Sequence, residues 1–286
     1  MKRRQLAAME HAGIDLGKRE SQIAIITESG ELVEKRLRTE RDRLRRFFVD
    51  RPKLRILMEA STISEWVARV LEELGHEVVV ADPNYAPMYG QRSRRVKTDK
   101  RDAQALAEAC RLGAYRPAHR TSDEQRHVRA LLGTRESLVR ARVRFVALVR
   151  ATLSREGFRV PTGATRLFAA RVRDLELPEH LMGEIAPLLA MFEPLKEQID
   201  DVDPQLVEMA RRDDRVKRLM TMRQIGPLTA LSFVATLDEV GRFRGAHQVA
   251  AYLGLVPREW SSSEMQRRAS PVGAASGWPW WRWRGS

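Results

Sequence analysis

The chain has 286 residues, enough for two domains and a sizeable core, and its 43% hydrophobic and 31% charged residues exclude wholesale disorder. No apolar run approaches the roughly 18 residues of a membrane span, and the basic start MKRRQLAAMEHAGIDLG lacks a signal peptide's apolar core, so a soluble protein of a reducing cytoplasm is expected. Lys and Arg number 51 against 38 Asp and Glu, a net charge of +13 that makes nucleic acid the leading partner class, with a merely solvated basic surface as the alternative.

The predicted elements begin with HAGIDLGK, QIAIITES and ELVEKRL, three β-prone segments separated by turn residues, which read as a meander. A polar helix (TERDRLRRFFVD), a strand (KLRILMEA), a helix ending at the C-cap Gly75 (WVARVLEELG) and a strand (HEVVVAD) follow. Three antiparallel strands and then alternating helices and strands predict a mixed α/β sheet covered on both faces. From Ser122 to about Gly157 apolar residues recur every seven positions at Leu132, Val139, Val146 and Leu153, the pattern of a long amphipathic helix. A second helical stretch, from about Pro178 to Arg212, would pair with it inside the chain or across a dimer. Beyond Asp213, Ile-Gly-Pro at 225–227 separates two helical patterns, an arrangement that serves as a plain interhelical turn or as a phosphate-facing hairpin. The lone Cys110 forms no internal disulfide, and no histidine stands at zinc-ligand spacing from it.

Carboxylates mark the candidate chemistry. Asp15 ends the first strand, between Gly13 and Gly17, which are expected to leave room for a ligand, and Glu59 holds the matching place at the end of RILMEA. Asp99 and Asp102, three apart, share one face of the helix through AQALAEACR. Each acid also has a plain reading: Asp99 as an N-cap, Asp102 as a first-turn acid, Asp15 as a turn residue, Glu59 as a surface acid. Their joint order favours a site for Mg²⁺ or Mn²⁺, since two such cations about 3.5–4 Å apart can clamp a phosphodiester. Arg92, Arg94, Arg95, Lys97, Lys100 and Arg101 would then hold phosphates and offset repulsion among the acids.

GIDLGK, the strand-end MEAS, the block NYAPMYGQRSRRVKTDKRDAQALAEA, and RQIGPLTALSFVATL through AYLGLVPREWSSS resemble, in the same order, the motifs of insertion-sequence transposases with a RuvC-like DEDD domain, the bridge-RNA-guided recombinases. The resemblance runs from about His11 to about Arg268. It implies an RNase H-like, RuvC-like domain over 1–121, a helical coiled-coil linker over 122–212, and a small all-α, helix-hairpin-helix-like transposase domain over 213–286. By the same resemblance Asp15, Glu59, Asp99 and Asp102 are the DEDD metal ligands, and a serine in GLVPREWSSSE is the nucleophile. Ser262 is the choice, with Ser261 as alternative because Ser263 stands where the family often has glycine. DNA of the insertion-sequence ends and target, a guide (bridge) RNA, a dimer or tetramer with a site composed from both domains, and a prokaryotic, nucleoid-associated location are implied with it. Two competing readings are a Holliday-junction-type nuclease using the acids alone and an inactive nucleic-acid-binding remnant.

After Arg268 the resemblance stops, and ASPVGAASGWPWWRWRGS reads either as a Trp/Arg platform for stacking on bases or as the product of a frameshift. With permitted codons, the shifted frame from Ala269 spells GITRGGGKRMALVEVA, which resembles the family's usual continuation. The expectation is therefore a transposase domain cut short and less stable for it.

Overall fold

The computed structural model describes residues 9–89 and 99–255, and as backbone alone 259–262 and 265–268. The chain divides between Arg120 and Thr121 into two compact units.

In the first unit, β1 (Glu10–Leu16), β2 (Glu20–Ile26) and β3 (Leu32–Arg38) form the antiparallel meander, followed by α1 (Arg41–Phe48). Then β4 (Leu54–Glu59) pairs parallel with β1, α2 (Ser64–Glu73) crosses over, β5 (Glu77–Ala81) pairs parallel with β4, and α3 (Asp99–Leu112) follows. The sheet order is β3-β2-β1-β4-β5, the mixed α/β sheet that the segment order predicts. Gly75, at φ 89°, takes the left-handed place just past α2 that glycine occupies without strain.

Side-chain alternation sorts the sheet into two faces. Ala12 and Ile14, Ile23 and Ile25, and Ile56 and Met58 pack with Leu44 and Phe48 of α1 and Val67 and Leu71 of α2. On the opposite face Ala24 meets Ala103 and Ala107 of α3, and Leu57 meets Leu106 and Cys110. Where α3 lies closest, at Gly13 and Ala24, this second face is built of small residues. A Cβ on Gly13 would stand 2.2 Å from the Ala107 nitrogen and 2.3 Å from the Ala103 oxygen. Gly17 is equally crowded, since a Cβ there would lie 2.2 Å from the Glu20 carbonyl across the β1–β2 turn. The expectation that these glycines leave room for a ligand is thus corrected: the space admits backbone. Burial also pushes the Cys110 thiol up to about 12, so it remains protonated in the core.

His76 ties β4 to α1. It is 5% exposed, its Nδ1 accepts from the Leu54 N–H at 3.2 Å, and its Nε2 therefore carries the proton and donates to the Phe48 carbonyl at 3.2 Å. Burial holds this imidazole below its ordinary value. An unfolded histidine takes up a proton near pH ~6.5, whereas the folded one resists, so the contribution is complete above that pH and is lost as the pH falls through and below it. Urea midpoints of the wild type should fall between about pH 7.5 and 5.5, and His76→Phe should flatten that fall. His11, depressed by burial and by Arg55 and Arg111, titrates in the same direction, so the difference between the two proteins is the quantity to read.

The second unit is built on α4 (Asp123–Arg155), the helix that the heptad pattern predicts, capped by Ser122, whose Oγ accepts from the Gln125 N–H. α5 (Phe168–Arg173), α6 (Glu179–Ala190), α7 (Phe192–Arg212), α8 (Asp214–Met220), α9 (Pro227–Leu237) and α10 (Ala246–Tyr252) follow. The helical stretch expected over 178–212 breaks at Met191. Pro194 lacks the N–H for Ala190 and its ring crowds that carbonyl, so a continuous helix is disfavoured there, although Pro187 and Pro204 are carried inside α6 and α7. α7 returns antiparallel along α4: Leu206 and Ala210 meet Val128 and Leu132 near one end, and Phe192 shares a core with Val149 and Leu153 at the other. Val216 of α8 and Ala230, Leu231, Val234 and Ala235 of α9 join the first of these clusters.

The carboxylate of Asp238, just after α9, accepts from the Ser122 N–H at 2.9 Å and from its Oγ at 2.7 Å. Arg129 donates to the last carbonyls of α9, at Ala235 and Thr236, over 2.7 and 2.8 Å. Gly226 caps α9 and Pro227 opens it, as the Ile-Gly-Pro turn predicts. After Asp213 the sequence reading expects helices alone, and the described residues correct this. β6 (Glu259–Ser262) and β7 (Met265–Arg268) pair antiparallel, a local hairpin that helical periodicity upstream does not report. The tail from residue 269 lies outside the described residues.

Candidate active site

The sheet's pleat brings the strand-end acids together. Gly13 and Leu57 face α3, so Asp15 and Glu59, each two residues further on, face the same side. The parallel register pairs Ile14 with Met58, and one step beyond it Asp15 comes beside Glu59 at the carboxyl ends of neighbouring strands. Open α/β sheets bind ligands at such strand ends.

α3 delivers the other two acids. It begins at Asp99, so both aspartates lie in its first turn, where the helix dipole favours negative charge. Asp102 is nonetheless 7% exposed, a placement that a solvated helix-start acid does not need and that costs free energy for a carboxylate. Gln104 donates to the Glu34 carboxylate of β3 at 2.7 Å and Lys100 pairs with it at 2.5 Å, which fixes this end of α3 over the sheet.

Asp15, Glu59, Asp99 and Asp102 line one cavity of about 490 Å³, together with Glu20, Ser21, Gln22, Arg36 and Pro83. A wall of carboxylate oxygens, with no thiol or imidazole among the described lining, is donor chemistry suited to a hard divalent cation such as Mg²⁺ or Mn²⁺. Among the described residues no three such side chains stand close enough together to hold a metal ion as they are placed.

The basic residues expected nearby divide. Arg92, Arg94, Arg95 and Lys97 lie outside the described residues, Arg101 is exposed on α3, and Lys100 is engaged with Glu34. Ser261 and Ser262 fall on β6, opposite Gln266 and Met265 in the hairpin. Sequence reasoning missed Gln22 and Arg36. The turn at Gly17 sets Asp15 opposite Gln22, and the turn at 27–31 between β2 and β3 sets Gln22 opposite Arg36, so counting outward from the two turns would have found both. The Asp82 carboxyl before Pro83 is held below the usual range, chiefly by the Arg116 guanidinium and then by the Asn84 N–H, which secures the loop after β5.

Residues 12–157 match a family model described as transposase, of the DEDD IS110 type, and residues 216–276 match one described as transposase IS116/IS110/IS902 family. The second match continues past Arg268, where the sequence reading ends its resemblance. A probable family 20 transposase of Pseudomonas aeruginosa is 31% identical over 271 residues, 91% of this chain and 77% of that protein. The transposase for insertion sequence element IS1328 of Yersinia enterocolitica is 28% identical over 87% of this chain and 74% of its own length. The transposase for IS1111A of Coxiella burnetii is 27% identical over 93% of this chain and 73% of its own length. Among the described residues no helix is long and apolar enough to cross a membrane.

Proposed function

The chain belongs to the transposase IS116/IS110/IS902 family, and from that premise we propose that it cleaves and exchanges DNA strands at insertion-sequence ends, using four carboxylates and a serine. The observation that carries this reading is the single cavity lined by Asp15, Glu59, Asp99 and Asp102.

In this reading those four residues hold Mg²⁺ or Mn²⁺, and the cation, when bound, supplies positive charge to the phosphate and departing oxygens. Ser262, or Ser261 beside it, attacks the phosphorus through Oγ. The bond from phosphorus to the departing deoxyribose oxygen breaks, that oxygen gains the proton which serine loses, and a phosphoserine link remains. Attack by a hydroxyl of the exchanging strand reverses the step and frees the serine. A guide RNA chooses the site by base pairing, the protein's cations hold the backbone, and the chain works as a homo-oligomer.

The covalent link is directly testable. Incubated with the element's end DNA and RNA, the wild type should yield a protein–DNA adduct on a denaturing gel, and Ser262→Ala should not. An adduct lost only in Ser261→Ala moves the nucleophile by one residue. Strand exchange that survives both substitutions sinks the serine and leaves the chemistry to the acids alone.

A further inference from the structure

The cavity wall opposite α3 carries a feature that the four acids do not explain. Asp15, Gln22 and Arg36 lie in one lateral row across β1, β2 and β3, each directly opposite the next, on the same face of the sheet. Adjacent strands are about 4.8 Å apart, so the Arg36 backbone stands about 10 Å from that of Asp15. The row therefore leads from carboxylate through amide to guanidinium. We infer that Arg36 holds a backbone phosphate of the strand being cut, next to the phosphate that the acids act on, with Gln22 between the two. This rests on the reading of the acids as the cleavage centre.

Arg36 is the only cationic side chain among the described residues lining the cavity. Lys100, at the α3 edge, is held by a Glu34 carboxylate that is only 22% exposed. Arg36 is paired with Glu20 at 2.6 Å, but these side chains are 65% and 45% exposed. An exposed pair of this kind contributes little net stability, because solvent screens both charges. A phosphate, which a guanidinium grips through two parallel N–H bonds, displaces Glu20 at little cost. The ion pair keeps the guanidinium over the cavity until a strand arrives.

Binding of fluorescein-labelled end DNA, followed by anisotropy against salt in the full chain carrying Asp102→Asn, tests the assignment. Adding Arg36→Ala should weaken binding several-fold and reduce the slope of log affinity against log salt by about 0.7–0.9, the loss of one phosphate contact. Arg36→Lys should restore most of the slope, which guards against a folding defect. Glu20→Gln should bind as tightly as the background or more tightly, because it removes the competing carboxylate. An unchanged slope in Arg36→Ala overturns the inference. So does a Glu20→Gln loss matching that of Arg36→Ala, the mark of a purely structural pair. If the Asp102→Asn background itself cuts DNA at the wild-type rate, the acid reading fails first and this one with it.

Discussion

Replacing Asp15, Glu59 or Asp102 by its amide should lower strand cleavage by about 10²–10³-fold, the scale on which removing one preorganised electrostatic group acts, while thermal stability changes little. An amide has nearly the carboxylate's shape but lacks its charge, so packing is kept and affinity for a hard cation is not. Asp102 is the most telling of the three, because its burial makes any structural role visible in the melting curve. Single-turnover cleavage of end DNA in Mg²⁺ reads the effect. Calorimetric titration with Mn²⁺ reads the binding independently of catalysis, and wild-type heat retained by all three variants would remove the acids from the metal site. Cleavage at the wild-type rate in each would end the proposed function.

The second large effect concerns stability. Gly13→Ala forces a methyl into the space occupied by the Ala103 oxygen and the Ala107 nitrogen, and neither is a flexible side chain that can swing aside. Either α3 lifts from the sheet or β1 bends. Overpacking of this kind costs about 1–3 kcal/mol, and here it acts on the helix that carries Asp99 and Asp102, so activity should fall along with the midpoint of unfolding. The control is Gly183→Ala, in the interior of α6 with open space around it, which should stabilise the second unit by about 0.5–1 kcal/mol. If Gly13→Ala melts as the wild type does, the close approach of α3 is not what holds this face together.

Much of the fold was legible because it is locally encoded. The short apolar runs in QIAII and RILME, the cap at Gly75 and the apolar heptads from Leu132 to Leu153 each report a local pattern that one element must satisfy by itself. The break at Met191 and the β6–β7 hairpin were not legible, since a proline in a helical pattern has several outcomes and a short hairpin depends on pairing more than on composition.

The candidate site divides along the same line. Its four acids could be named from sequence because each stands at the end or the start of an element, where a carboxylate has little packing value and easy access to a cleft. That they line one cavity was decided by the β1–β4 register and by α3 lying on the Gly13 face, both products of pairings distant along the chain. Tertiary structure likewise drew Lys100 to Glu34 and brought in Gln22 and Arg36, which no motif marks. The sequence by itself determined which groups carry charge and which element bears each. Only the folded sheet decided which charges face one another across β1, β4 and α3, because those neighbours are set by pairings distant along the chain and not by a local turn.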